Sequence, residues 1–227
     1  MTRRTNARLA GVAFLLYIAF GIPTMVLRGR AMTGQGIEAK LASILEHTAD
    51  LHTAVLFDLF TSFCALVLGV TLWALTREQD PDVAMFAMLC RLCEGLAGAL
   101  GVQRTMSLLW LANPSGPKAP DPATVHAIGG FLLNGQVSGV GAIFFAVGSL
   151  LFSWLLLRGR MIPTLLAGWG VIASAVAVVA LPLEFVHIFP SAWIWYVWLP
   201  LAAYEIPLAV WLLWRGAAAP ARVPAAA

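Results

Sequence analysis

Residues 51–75 read LHTAVLFDLFTSFCALVLGVTLWAL, and this stretch decides the fold. Asp58 is its one formally charged residue. Coiled as a helix at 1.5 Å per residue, such a run is about 37 Å long. A bilayer core of about 30 Å needs about 20 apolar residues in helical form. The stretch therefore reads as a membrane span. A helix also bonds its own backbone groups, which lipid cannot do for them.

The same test, run outward along the chain, finds six such runs. They are Leu9–Leu27, Leu51–Leu75, Val83–Leu111, Val125–Leu157, Thr164–Phe185 and Ala192–Trp214. The separators carry turn chemistry: Arg77-Glu78-Gln79-Asp80-Pro81, Asn113-Pro114-Ser115-Gly116-Pro117, Arg158-Gly159-Arg160 and Phe189-Pro190-Ser191. Composition agrees. The chain of 227 residues is 60% hydrophobic and 11% charged, against about 45–50% and about 25% in soluble domains. A soluble fold of this size has no way to hide that much apolar surface. Disordered chains, disulfide-stapled secreted domains and ordinary soluble enzymes are excluded. The expected class is an all-α polytopic membrane protein of six transmembrane helices, as one domain over 1–216 with a flexible tail over 217–227.

Arginine and lysine placement sets the orientation. With a cytoplasmic amino terminus, the inner side holds Arg3, Arg4, Arg8, Arg77, Arg158, Arg160, Arg215 and Arg222. The outer side holds Arg28, Arg30, Lys40 and Lys118. Both termini are expected inside, with Arg28 and Arg30 as the opposing signal. Trp193, Trp195 and Trp198 at one end of the last run, and Trp211 and Trp214 at the other, suit two membrane interfaces. The first run is long and ends without a small-residue cleavage site, so it reads as an anchored span. Between the first two runs, Ile37, Leu41, Ile44 and Leu45 fall at helical spacing. They make a short amphipathic helix at the outer interface.

Ionisable groups at membrane depth cost at least about 2.5–3.5 kcal/mol each on insertion scales, so they carry the functional information. The third run holds Arg91 and Glu94 one turn apart, and the sixth holds Glu205 beside Tyr204. By helical rise, both glutamates lie near the midplane. Opposite charges there should pair, so the third and sixth spans are expected to touch. Two carboxylates then face one arginine, which calls for another donor or a held proton. Tyr17 lies at similar depth and can supply a hydroxyl. Pro200 and Pro207 bracket Glu205 and free backbone carbonyls near it. This construction suits a transporter and equally suits an ion pair that holds a bundle together.

A second polar layer lies toward the outer side. It comprises Gln103, Arg104, His126, Asn134 and Gln136, with His52 and Asp58 from the second run and Glu184 and His187 from the fifth. Arg91, Glu94, Glu205, Tyr204, Tyr17, Asp58 and Arg104 are the candidate ligand or proton residues. No metal is favoured. If one binds, His52, His126, His187, Asp58 and Glu184 are its candidate ligands, for zinc or a bis-histidine haem, without any motif spacing in support. Cys90 and Cys93 form C-x-x-C inside an apolar run, where packing is the plainer reading than redox chemistry. The glycines Gly129, Gly130, Gly135, Gly139, Gly141 and Gly148 read as close helix approach. The repeated Arg28-Gly29-Arg30 and Arg158-Gly159-Arg160 reads as chance rather than as an inverted repeat. The lysines, Lys40 and Lys118, lie outside the runs, which excludes an intrahelical retinal Schiff base. There is no Walker motif and no G-x-S-x-G. No basic stripe with interleaved aromatics points to nucleic acid.

Several of these positions fall in stretches that resemble a known family. They are Ala7-Arg8-Leu9-Ala10-Gly11, Ile44-Leu45, Asp58, Arg91-Leu92-Cys93-Glu94, Phe144-Phe145-Ala146-Val147-Gly148 leading to Met161-Ile162-Pro163, and Tyr204-Glu205 leading to Trp211-Leu212-Leu213. The chain resembles, over nearly its whole length, a bacterial family of multi-span membrane proteins catalogued as a domain of unknown function, number four-three-eight-six. The resemblance implies the six-span fold, a place in the bacterial cytoplasmic membrane, and charged positions at Asp58, Arg91, Glu94 and Glu205. Arg158-Gly159-Arg160-Met161 stands where that family often has an aromatic-rich basic loop. The resemblance implies no reaction and no cofactor. From the residues, three functions remain in play: binding or transport of a small molecule or lipid, with proton coupling; a membrane-embedded metal enzyme at the outer face; and a structural or sensor subunit. The bilayer is the one partner the sequence itself names, and the number of subunits stays open.

Overall fold

The computed structural model describes residues 1–114, 119–134, 137–188 and 194–220. Among them are eight helices: α1 Arg3–Ala31, α2 Ile37–Glu46, α3 Thr48–Thr76, α4 Pro81–Ala112, α5 Pro122–Asn134, α6 Val137–Arg158, α7 Thr164–Phe185 and α8 Ile194–Trp214. Six of them, α1, α3, α4, α6, α7 and α8, are long and apolar enough to cross a membrane. Their starts follow local chemistry. The Thr2 side chain accepts from the Thr5 amide. Asp80 accepts from Val83 N–H, with Pro81 in the first turn where its missing donor does no harm.

Each spanning helix packs on the next in chain order, and α8 returns to pack on α1. The six thus form a closed ring of alternating direction, with α4 facing α8 across it. The outward faces remain apolar: Phe63 is 64% exposed, Leu96 62% and Ile172 61%. Only lipid makes such a surface tolerable. Interior seams are made of small residues, among them Ala7, Ala10, Ala84, Ala87, Ala167 and Ala177, each fully buried. Small residues let membrane helices approach closely. At Gly11 a methyl group would meet the Ala209 carbonyl oxygen at 2.7 Å, so glycine is what lets α1 close against α8.

The start of α1 and the end of α8 lie at one end of the bundle. Arg3 gathers that end: its guanidinium donates to the carbonyls of Ala218 at 3.0 Å and Leu75 at 2.7 Å and pairs with Glu78 at 3.3 Å. The expected amphipathic helix is α2. Its Leu41 and Ile44 are buried with Ala31, Leu51, Leu108 and Leu111, so α2 caps the far end of the bundle from within the fold.

The run Val125–Leu157 is described as two helices, α5 and α6, with residues 135 and 136 outside the described residues. Its first part forms α5, 13 residues and about 20 Å long, too short to span. Gly129 of α5 sits against Ile37, Leu41 and Leu111, so this face serves the cap, while Phe131 of the same helix is 77% exposed. Hydropathy reads both uses alike. Asp121 starts α5: it accepts from the Ala123 and Thr124 amides, each at 3.0 Å, and from the Thr124 hydroxyl at 2.7 Å. These bonds, the Thr124 hydroxyl first, hold the Asp121 carboxyl below its usual value. A depressed folded-state value adds stability above the unfolded value, lost as pH falls through the folded one. We therefore expect amide protection at Ala123 and Thr124 to fall on acidification, and D121A to remove that pH dependence. Hydrogen exchange reads both; protection that ignores pH in the native chain contradicts the cap.

Candidate functional site

Helical rise puts Arg91 and Glu94 about halfway along α4. The guanidinium is 1% exposed and the Glu94 side chain 7%. Arg91 Nη1 donates to Glu94 Oε2 at 2.7 Å. Tyr17 of α1 donates its hydroxyl to the other oxygen, Oε1, at 2.6 Å. Arg91 Nη2 lies 3.7 Å from Glu205 Oε1 of α8. That distance is an ion pair and too long for a hydrogen bond. Glu205 Oε1 has no hydrogen-bond partner among the described residues, and neither has Arg91 Nε. The Arg91 cation also stands over the Phe145 ring at 4.7 Å, with Phe14 at 5.8 Å and Tyr17 at 5.9 Å. Aromatic faces attract a desolvated cation and partly replace lost water.

The expectation that one arginine meets two carboxylates from separate spans matches this geometry. The third and sixth spans meet there as expected, through side chains and not through close backbone packing. α4 packs on α3 and α6, and α8 packs on α1 and α7. The long Arg91 side chain reaches across the ring instead.

Beside this centre lies a cavity of about 220 Å³. Glu94, Tyr17 and Phe145 line it beside the charged centre, and Arg28, Asp58 and Trp198 line it toward the far end. Gly95, Gly98, Gly101 and Gly141 line it and leave room where larger residues would fill it. Arg28 and Asp58 form an ion pair, and Arg28 also donates to the Thr105 hydroxyl at 3.2 Å. Toward the termini the bundle is closed. Phe14, Leu72, Phe152, Leu156 and Leu208 surround a void of only about 10 Å³ next to Arg91. In that layer Ser153 donates to the Tyr204 hydroxyl at 2.9 Å. The Ser149 hydroxyl, also at this void, has no partner among the described residues.

The other sequence candidates fall elsewhere. Arg104 donates to the carbonyls of Leu132 at 2.6 Å and Leu133 at 3.3 Å, so it caps the last turn of α5. His52 and His126 are exposed, and His187 is exposed with a positive φ of 60°. Asp58 is taken by Arg28. Glu184 is half-buried at the end of α7. No group of three or more His, Cys, Asp or Glu is placed to hold a metal among the described residues. Cys64, Cys90 and Cys93 are free thiols. Gly148 packs against Ala87 and Cys90, and Gly141 against Ala97, as close-approach positions. Gly135, Gln136, Trp193, Arg222 and the side chain of Asn134 lie outside the described residues.

Sequence reading missed Arg28 as a site residue and took it only as evidence on orientation. The available signal was Asp58, an acid at membrane depth that needs a cation at similar depth on a neighbouring span. Ser153 was also missed, and a lone serine in an apolar helix gives no such signal.

No curated protein and no solved structure matches this chain. Residues 9–216 match a family with the same six-span character, covering every spanning helix and the whole charged centre. The chain is a membrane-spanning member of the family described as a domain of unknown function (DUF4386).

Proposed function

We propose that this protein binds a small molecule in its intramembrane cavity, for transport, and couples that binding to a proton. The observation that carries this reading is Arg91 shared between Glu94 and Glu205 beside a cavity that holds Arg28 and Asp58 toward its far end and whose terminal side is closed. Closure on one side is what alternating access requires of one of its states. Two carboxylates against one guanidinium leave one negative charge uncompensated in hydrocarbon, and a proton is the simplest compensation. The groups that act on Glu205 are Arg91 and Glu94 from α4, Tyr17 from α1 and Tyr204 on α8 itself; α6 brings the neutral Ser149 and Ser153. The proton therefore belongs to the group as a whole, with Glu205 Oε1 a carboxylate oxygen that lacks a hydrogen-bond partner among the described residues.

For orientation, Arg4, Arg8, Arg77, Arg160 and Arg215 join Arg3 and Arg158 toward the terminal end. This supports termini in the cytoplasm and a cavity facing outward across the cytoplasmic membrane. The test is retention of a native small molecule by protein purified in mild detergent, read by native mass spectrometry. We expect retention to change with pH in the native chain and E205Q to abolish that change while helix content is kept. Retention indifferent to both pH and the substitution contradicts the proposal.

A further inference from the structure

The chemistry of the cavity wall narrows the ligand class, taking the binding reading above as its base. Both Glu94 oxygens are already engaged, one by Tyr17 and one by Arg91. Each oxygen keeps a second lone pair, but the Glu94 side chain is only 7% exposed, so a ligand reaches little of it as a directional acceptor. What the lining offers without rearrangement is charge and aromatic side chains. Tyr17, Phe145 and Trp198 line the cavity together. Their rings form a continuous set, Tyr17 stacked on Phe145 at 6.3 Å and Phe145 tilted against Trp198 at 5.5 Å. Phe145 already serves one cation, since the Arg91 guanidinium lies 4.7 Å from its centroid.

The field of the charged groups points the same way. Toward the far end Arg28 and Asp58 cancel. At the base Glu94 and Glu205 outnumber Arg91 by one. The cavity is therefore lined by aromatic side chains beside a net negative centre. That combination recognises quaternary ammonium groups, which carry charge and no N–H donors. At about 220 Å³ the space is below the ~300–1,000 Å³ of drug-sized pockets, so the ligand is small.

We infer that the cavity bounded by Glu94, Tyr17, Phe145 and Trp198 is a binding site for a small organic monocation of the quaternary ammonium class. A bound cation and a held proton neutralise the same charge, so the two compete. Cation binding then weakens as pH falls.

The experiment is calorimetric titration of the full chain in detergent with tetramethylammonium, choline and 3,3-dimethylbutan-1-ol, the uncharged isostere of choline. The expected result is saturable binding of both cations, with the neutral alcohol about ten-fold weaker or more. E94Q should weaken cation binding by about ten-fold. W198L, which leaves the buried charges untouched, should weaken it by about three-fold or more and so tests the site even where E94Q fails to fold. Equal binding of the alcohol, or no saturable binding of either cation, overturns the inference. If pH-dependent retention of a native molecule persists in that case, only the ligand class is wrong. If it is absent too, the binding reading itself has failed.

Discussion

Replacing Arg91 with leucine is expected to destabilise the bundle by about 3–5 kcal/mol, because it strands two carboxylates in the interior. Glu94 is 7% exposed and Glu205 5%. Without the guanidinium, Glu94 keeps the Tyr17 hydroxyl, while Glu205 keeps no charged partner. The observable is the thermal midpoint in detergent, together with the amount of protein that accumulates in the membrane. R91K should fall between the native chain and R91L. Lysine restores the charge but lacks the fork that spans two carboxylates from different helices. The ring contacts with Phe145, Phe14 and Tyr17 also suit a planar guanidinium better than a strongly hydrated ammonium. A thermal midpoint for R91L equal to that of the native chain contradicts this part of the account.

The second large effect belongs to Gly11, where one methyl group should open the seam between the first and last spans. Its nearest obstacles are the Ala209 carbonyl oxygen and the Leu213 side chain, each at 2.7 Å, and the Leu213 amide nitrogen at 3.0 Å; rotamer changes can move the side chain but not the two backbone atoms. Overpacking of this kind costs about 1–3 kcal/mol. G11A should therefore lower the thermal midpoint although alanine is the better helix former. The contrast is Gly21, which has nothing within 4 Å of an added methyl group. G21A should be neutral or slightly stabilising. Equal midpoints for G11A and G21A would mean that α1 and α8 do not meet as described.

The sequence made the spans and the charged centre legible for one physical reason. Lipid forbids unpaired backbone and isolated charge, so long apolar runs must be helices and Arg91, Glu94 and Glu205 must find one another. Tyr17 followed from depth alone. What hydropathy does not encode is which surface covers an apolar residue. That is why Val125–Leu133 read only as the start of a span, although its Val125, Leu132 and Leu133 pack on the cluster beneath α2. Nor does it encode ring order. Arg91 crosses the bundle to Glu205 without close backbone packing between their helices, because a side chain with four rotatable bonds can bridge a gap that backbone packing leaves. Arg104 illustrates a third blind spot. An arginine at the end of a span can satisfy helix carbonyls as readily as it binds an anion, and residue type does not distinguish the two uses. The histidines share a polar layer in sequence, yet position along a helix leaves its rotation about the bundle axis unset.

The central claim is that one arginine holds two carboxylates from opposite helices, and a thermal double-mutant cycle with R91Q and E205Q tests it most directly. E205Q alone should cost little, since it removes the excess negative charge. In the R91Q background the same substitution should restore stability, giving a coupling energy of about 1–3 kcal/mol. Strictly additive effects, with no rescue of R91Q by E205Q, would show that Arg91 and Glu205 do not share a site.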